Sequence, residues 1–255
     1  MGEPEEFDDD YNFFDDTPAG KDPDSHSPTL RRYHRLLWSK PLPDGQPFEL
    51  QARRALSPYL VYEADGTSFV LGSDAITSSY TRWSRRKSKA LAAAIAALNE
   101  DERSRYLNPP YTIGSAMIWP VRKKDRPTMN TARGFGPSGR LIADRMDLTL
   151  ECIRRHYAGE LESPLADVIT AYADFFELFD GFTEFVEFFH FQDLVTPAYD
   201  EIQFYLPFDN FKRSGTPATK EEYVEYREKT LEFIKKRGRR MADWVMENHP
   251  ELEVR

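Results

Sequence analysis

Cysteine is all but missing from this chain: Cys152 stands alone among 255 residues. A lone thiol excludes an internal disulfide framework and any zinc site built on several cysteines. Histidine is sparse too. His26, His34, His156, His190 and His249 are scattered, and no two have the spacing that brings a pair of imidazoles to one metal. The apolar runs are short and interrupted, so no membrane span is expected. The opening residues have neither a basic cluster nor an apolar stretch, so no secretory signal is expected and a cytoplasmic location is. Nucleophile elbow, Walker A loop and dinucleotide fingerprint are all absent, which removes three common routes to hydrolase, NTPase and dinucleotide chemistry.

What is present begins with charge. Ten of the first 24 residues are acidic (Glu3, Glu5, Glu6, Asp8, Asp9, Asp10, Asp15, Asp16, Asp22 and Asp24) against Lys21 alone. The other 231 residues hold 33 acids and 33 bases, what remains of the 43 and 34 in the whole chain. The net charge of −9 therefore belongs to that segment and says nothing about partners of the body. Residues 1–10 read as an acidic flexible tail, dispensable for folding. Tyr11, Phe13 and Phe14 add aromatic surface, so the segment from residue 11 should dock.

Turn and cap signals divide the rest. Ser27-Pro28 caps a helix running to Trp38, with Leu30, Tyr33 and Leu37 on its inner face. Asp44-Gly45 marks a turn between proline-rich edges. Residues 59–63 and 67–71 make a hairpin, residues 91–98 an alanine-rich helix, and residues 112–121 a buried strand. Helical patterns follow: one from Ile142, one capped by Ser163, and one capped by Thr219 that runs to about Met246, with a late strand over 202–206. Strands early and helices late give an α+β class. The expected architecture is one compact domain over 11–255, with short, mostly antiparallel strands at about 36–121 and a helical part at about 140–255.

The densest polar chemistry lies between Thr128 and Tyr157. At about 3.6 residues per turn, Ile142, Met146, Leu150, Ile153 and Tyr157 share a face. Asp144, Asp147, Glu151, Arg154 and Arg155 fall opposite, with Leu148 inside the charged stripe. That interruption marks a largely buried helix whose charges are paired, either as an ion network or as a site. The three carboxylates could hold Mg²⁺. The neighbouring arginines neutralise them more simply, so no metal is expected.

Three other features compete. The phenylalanines from Phe175 to Phe191 form an apolar stripe opposite Glu177, Asp180, Glu184 and Glu187, and core packing explains them best. Gly134, Gly136 and Gly139 with Arg133 and Arg140 could cradle a phosphate, although Pro137 removes a donor. Arg82, Arg85, Arg86 and Lys87 with Tyr80 and Trp83 make the patch best suited to a nucleotide or nucleic acid, while a solvated basic face is the plainer reading.

Four segments carry a resemblance: Lys21-Asp-Pro-Asp24 with Ser27–Lys40, Thr128–Gly134, Asp144–Arg155 and Phe188–Val195. Over about Phe13 to Arg240 the chain resembles a family of uncharacterised bacterial cytosolic proteins, a domain of unknown function. The resemblance implies a single cytosolic domain and no particular activity.

Two functions remain open. The first is an enzyme or effector acting on a phosphate-bearing ligand such as a nucleotide, NAD or RNA. There Arg133 would grip phosphate bidentately and Asn130 would orient the ligand, with Lys40, Ser39, Ser73, Asp74 and Arg155 as further binding groups. His34, Glu151 or Asp144 would handle protons. An ADP-ribosyltransferase-like toxin is a narrower version, weakened because Glu151 falls in a helix and not a strand. The second is a non-catalytic interaction protein whose polar motifs only hold the fold. No cofactor and no oligomeric state can be assigned.

Overall fold

In the computed structural model, which describes residues 6–54, 57–64, 66–81, 88–121, 127–134, 136, 139–160 and 162–255, a four-stranded antiparallel sheet occupies the N-terminal half. Its order is β4 (Gln51–Ala52), β5 (Leu60–Ala64), β6 (Thr67–Ala75), β7 (Ala116–Val121). The β5–β6 register pairs Tyr62 with Phe69 and Leu60 with Leu71, all buried, so alternate residues carry one face into the core. Further along β6, past Gly72, Ser73 and Asp74 stand opposite Ile118 and Met117 of β7. Lys40–Pro41 (β2) and Pro47–Phe48 (β3) pair around Asp44-Gly45 as expected.

The helical half covers the sheet, and the class is α+β. Phe175 meets Phe69 edge-on at 5.8 Å, and Phe176, Phe179, Phe185 and Phe189 pack behind it with almost no exposure. The phenylalanine stripe is core. Helix Pro28–Trp38 starts at Ser27, whose hydroxyl accepts from Leu30 N–H, and buries Leu30, Tyr33 and Leu37. Helix Lys220–Asn248 starts at Thr219 and lies against the 3₁₀ turn Ile113–Ser115. That approach depends on Gly114: a Cβ there would stand 2.0 Å from the Ile234 carbonyl oxygen. No helix among the described residues is long and apolar enough to cross a membrane.

Several expectations change. The acidic tail is held to the body from Glu6 on. Glu6–Phe7 (β1) pairs in parallel with Glu253–Val254 (β8), and Phe7 is fully buried, stacked 4.5 Å from Tyr33. Phe13 is buried as well, while Phe14 stays exposed. The helix expected from Ile142 begins at Met146, because Ala143 and Asp144 take left-handed φ values of 51° and 58°. A side-chain period cannot report such a break. Two backbone anchors hold it: Tyr80 Oη donates to the Ala143 carbonyl (2.7 Å), and Asp144 N–H donates to the Arg133 carbonyl (3.1 Å). Ser163 caps nothing, since that helix begins at Ala166 without a side-chain cap bond. Residues 202–206 make only the bridge between Ile202 and Val195, and Tyr205 N–H donates instead to Asp147 Oδ2 (2.9 Å). The strand expected from Thr112 starts at Ala116.

Candidate functional site

A cleft of about 1040 Å³ opens at the end of β6. Gly72–Ala75, the turn Asp22–Ser25, Tyr111, Trp119, Asn130 and Asp144 line it. Four of its lining residues are aspartates: Asp22, Asp24, Asp74 and Asp144. Side chains alternate along a strand. Ser73 therefore meets the N-terminal helices, and its neighbour Asp74 meets Arg133 from the other side.

On the first side the hydrogen bonds have only one consistent direction. An indole N–H can only donate, so Trp38 Nε1 gives its proton to His34 Nδ1 (2.9 Å). The ring proton of His34 then sits on Nε2 and is donated to Ser73 Oγ (2.8 Å). Ser73 in turn donates to Asp24 Oδ1 (2.5 Å), which also accepts from Tyr111 Oη (2.6 Å). Asp24 ends the relay. It sits in the first turn of helix Pro23–His26, where Asp22 Oδ1 accepts from its backbone N–H (3.2 Å). Burial pushes the Asp24 carboxyl up to about 6 against the pull of the two hydroxyl donors.

On the second side Arg133 fills the space between two carboxylates. Its Nη1 lies 2.8 Å from Asp74 Oδ2 and 3.5 Å from Asp144 Oδ1. Nε donates to Thr149 Oγ1 (2.9 Å) and Nη2 to the Ile76 carbonyl (2.9 Å), and the guanidinium stacks 5.5 Å from the centre of the Trp119 ring. Burial raises the Asp144 carboxyl to about 6, opposed by Arg133. Burial also raises Asp74, with Arg133 opposing and Asp144 adding to the rise. Asp144 occupies the left-handed turn described above. A non-glycine residue in that region costs roughly 1–2 kcal/mol, and backbone strain of this kind gathers where a side chain has to be aimed.

The expected site residues therefore divide. Ser73, Asp74, Asn130 and Asp144 line the cleft. His34 lies one bond behind it and cannot serve as the base: Nε2 is protonated, Nδ1 is taken, and burial lowers the ring to about 3. Arg133 is not a phosphate clamp, because its side chain is completely buried and given over to protein acceptors. Glu151 is 4 % exposed and spends its oxygens on Arg154 (2.9 Å) and Arg155 (2.7 Å), so it is structural. Arg155 also holds Asn210 and faces Phe211, away from the cleft. Asp147 pairs with Arg145, so the carboxylate trio proposed for Mg²⁺ never assembles.

Ser39 and Lys40 lie elsewhere. Ser39 Oγ accepts from Leu50 N–H (3.0 Å), a turn contact. Lys40 donates to the Phe188 carbonyl (2.6 Å) inside a cage of Trp38, Phe188 and Trp244, where burial brings the ammonium down to about 7. The basic patch Arg82, Arg85, Arg86 and Lys87 lies outside the described residues, as do parts of the glycine-rich loop at 135, 137 and 138. Sequence reasoning missed Asp24, Tyr111 and Arg227, which also line the cleft. Asp24 had a signal in the Lys21-Asp-Pro-Asp24 motif, and Arg227 had another in its position on the apolar face of the last helix.

Residues 7–241 match the model of DUF6994, a family of unknown function, and the chain belongs to that family. No curated protein and no solved structure matches it.

Proposed function

We propose that the cleft of this DUF6994 chain is the active site of a cytoplasmic enzyme that moves protons on a small polar ligand, with Asp24 and Asp144 as the acid–base pair. The observation that carries this reading is the crowding of Asp24, Asp74 and Asp144 along one open cleft, with Arg133, which pairs Asp74 and Asp144, placed behind the wall. Structural carboxylates in this molecule look different. Asp147 and Glu151 are closed off by arginines on both oxygens. Asp24 keeps its second oxygen out of the relay and lines the open space.

Two carboxyls held near 6 can each be found protonated or ionised close to neutrality, which is what general acid–base work requires. Asp24 is the base: Tyr111 and Ser73 steady its charge, and the relay back to His34 and Trp38 fixes its orientation. Asp144 is the acid or the second base, aimed by its strained turn. Asn130 and the hydroxyl of Ser73 orient the polar groups of the ligand. The alternative, an interaction protein with purely structural polar motifs, fits the Arg145–Asp147 and Glu151–Arg154–Arg155 networks. It does not account for acids left facing an open cleft.

Incubating the protein with a metabolite extract and following each component by mass spectrometry tests the reading. A compound should be consumed by the wild type and left intact by Asp24→Asn and Asp144→Asn, with a rate profile that bends near pH 6. A compound bound by all three proteins and consumed by none would favour the interaction reading instead.

A further inference from the structure

Four arginines are buried among the described residues: Arg133, Arg145, Arg227 and Arg237. Burying a guanidinium is tolerated when its donors are satisfied and its charge is compensated. Arg133 has Asp74 and Asp144, and Arg145 has Asp147 and the Gly215 carbonyl. Arg237 has no carboxylate, but it gives four hydrogen bonds to the carbonyls of Phe189, Gly114 and Ala116 and lies 4.4 Å from the centre of the Phe191 ring.

Arg227 is the exception. It is 1 % exposed, and its one acceptor is the Ser78 carbonyl, a long 3.3 Å from Nη1. Its Nε is enclosed without any acceptor, and among the described residues no carboxylate pairs with it. Arg227 lines the same cleft as the aspartates, beside Ser78 and Ser79. A second enclosed donor without an acceptor, the indole Nε1 of Trp119, belongs to another lining residue.

We infer that Arg227 forms an anion subsite in the cleft and takes the phosphate group of the ligand whose other end meets Asp24 and Asp144. The inference rests on the proposed acid–base reading for the identity of that other end, not for the subsite itself. A planar guanidinium with open donors matches two oxygens of one phosphate, and the desolvated setting strengthens each bond. The opposite wall selects the ligand's polarity. Its aspartates repel a second anionic group and accept hydroxyl or amine donors. A cleft of about 1040 Å³ has room for a molecule with both ends. The ligand class is then a phosphate monoester with a hydroxyl- or amine-bearing body.

Inorganic phosphate is the probe for the subsite, titrated into the full chain at millimolar levels, with acetate and sodium chloride in parallel at matched ionic strength. The thermal midpoint and the arginine Nε–H resonances are read together. Phosphate should raise the midpoint of the wild type, raise that of Asp24→Asn at least as much, and move one Nε–H signal, the one absent from Arg227→Gln. Arg227→Gln should gain nothing from phosphate. If that variant does not fold, Arg227→Lys replaces it, with phosphate binding about tenfold weaker because a point charge lacks the planar fork. An equal gain from acetate would overturn the phosphate assignment. A phosphate gain that survives the loss of the Arg227 guanidinium, or no gain in the wild type, would overturn the subsite and leave the acid–base reading standing. A metabolite consumed by both aspartate variants would do the reverse.

Discussion

Replacing Asp24 by Asn should make the protein more stable and less active, and the gain in stability should depend on pH. In the fold, burial holds this carboxyl at about 6, against an ordinary 3.8. At about 1.4 kcal/mol for each tenfold change in proton affinity, ionising it inside the fold costs up to about 3 kcal/mol above pH 7. Partial exposure at the cleft brings the expected cost nearer to 2 kcal/mol. The sign follows from proton counting. Between pH 4 and 6 the folded chain binds more protons at this site than the unfolded chain, so wild-type stability falls as pH rises through that window. Asparagine is neutral throughout, and its amide oxygen can still accept from Ser73 and Tyr111. Urea denaturation of both proteins at pH 3.5 and pH 8 measures the difference. The two should match within about 0.5 kcal/mol at the lower pH, and the variant should be about 2 kcal/mol more stable at the higher one. A constant offset at both values would refute the claim that a costly buried charge sits at Asp24.

The Arg133→Lys variant should lose about 3–5 kcal/mol in the same assay, because one buried carboxylate is left without its partner; a loss under about 1 kcal/mol would reopen a ligand-binding role. Gly114→Ala should cost more than about 2 kcal/mol and lower the thermal midpoint, since the new Cβ would meet the backbone oxygen of Ile234 and not a side chain that can swing away. Removing residues 1–10 should cost about 1.5–3 kcal/mol more than removing residues 1–5, the difference being the burial of Phe7. Equal stability of the two truncations would mean that β1 contributes nothing.

Much of the fold was legible because local chemistry marked it. Ser27, Thr219, Asp44-Gly45 and the phenylalanine spacing each name a cap, a turn or a buried face without reference to distant residues. The failures share a different cause. Asp144 looked like part of a helix because hydrophobic period is blind to a two-residue left-handed break. Residues 202–206 looked like a strand because the carboxylate that captures the Tyr205 N–H lies 58 positions away. The site was half legible. Ser73, Asp74, Asn130 and Asp144 were chosen for polar density and do line the cleft. Density alone cannot separate a saturated arginine such as Arg133 from an unsaturated one such as Arg227. The useful clue was geometric: Arg227 stands four residues after Tyr223 and three before Thr230, both buried, so its charge had to enter the interior.

The parallel pairing of β1 with β8 has a mechanical consequence. Tension applied through residues outside those strands draws β1 toward its beginning and β8 toward its end, so the pair is loaded in shear. Hydrogen bonds in shear share the load, whereas those of a hairpin pulled open at one end break in turn. The Arg255 amide bonded to the Phe7 carbonyl (3.0 Å) and the Arg255–Glu6 ion pair (2.9 Å) lie in the same short clasp. A pulling or translocating machine that grips the chain from either side would therefore have to break this clasp as a unit to draw the Phe7 side chain off the ring of Tyr33.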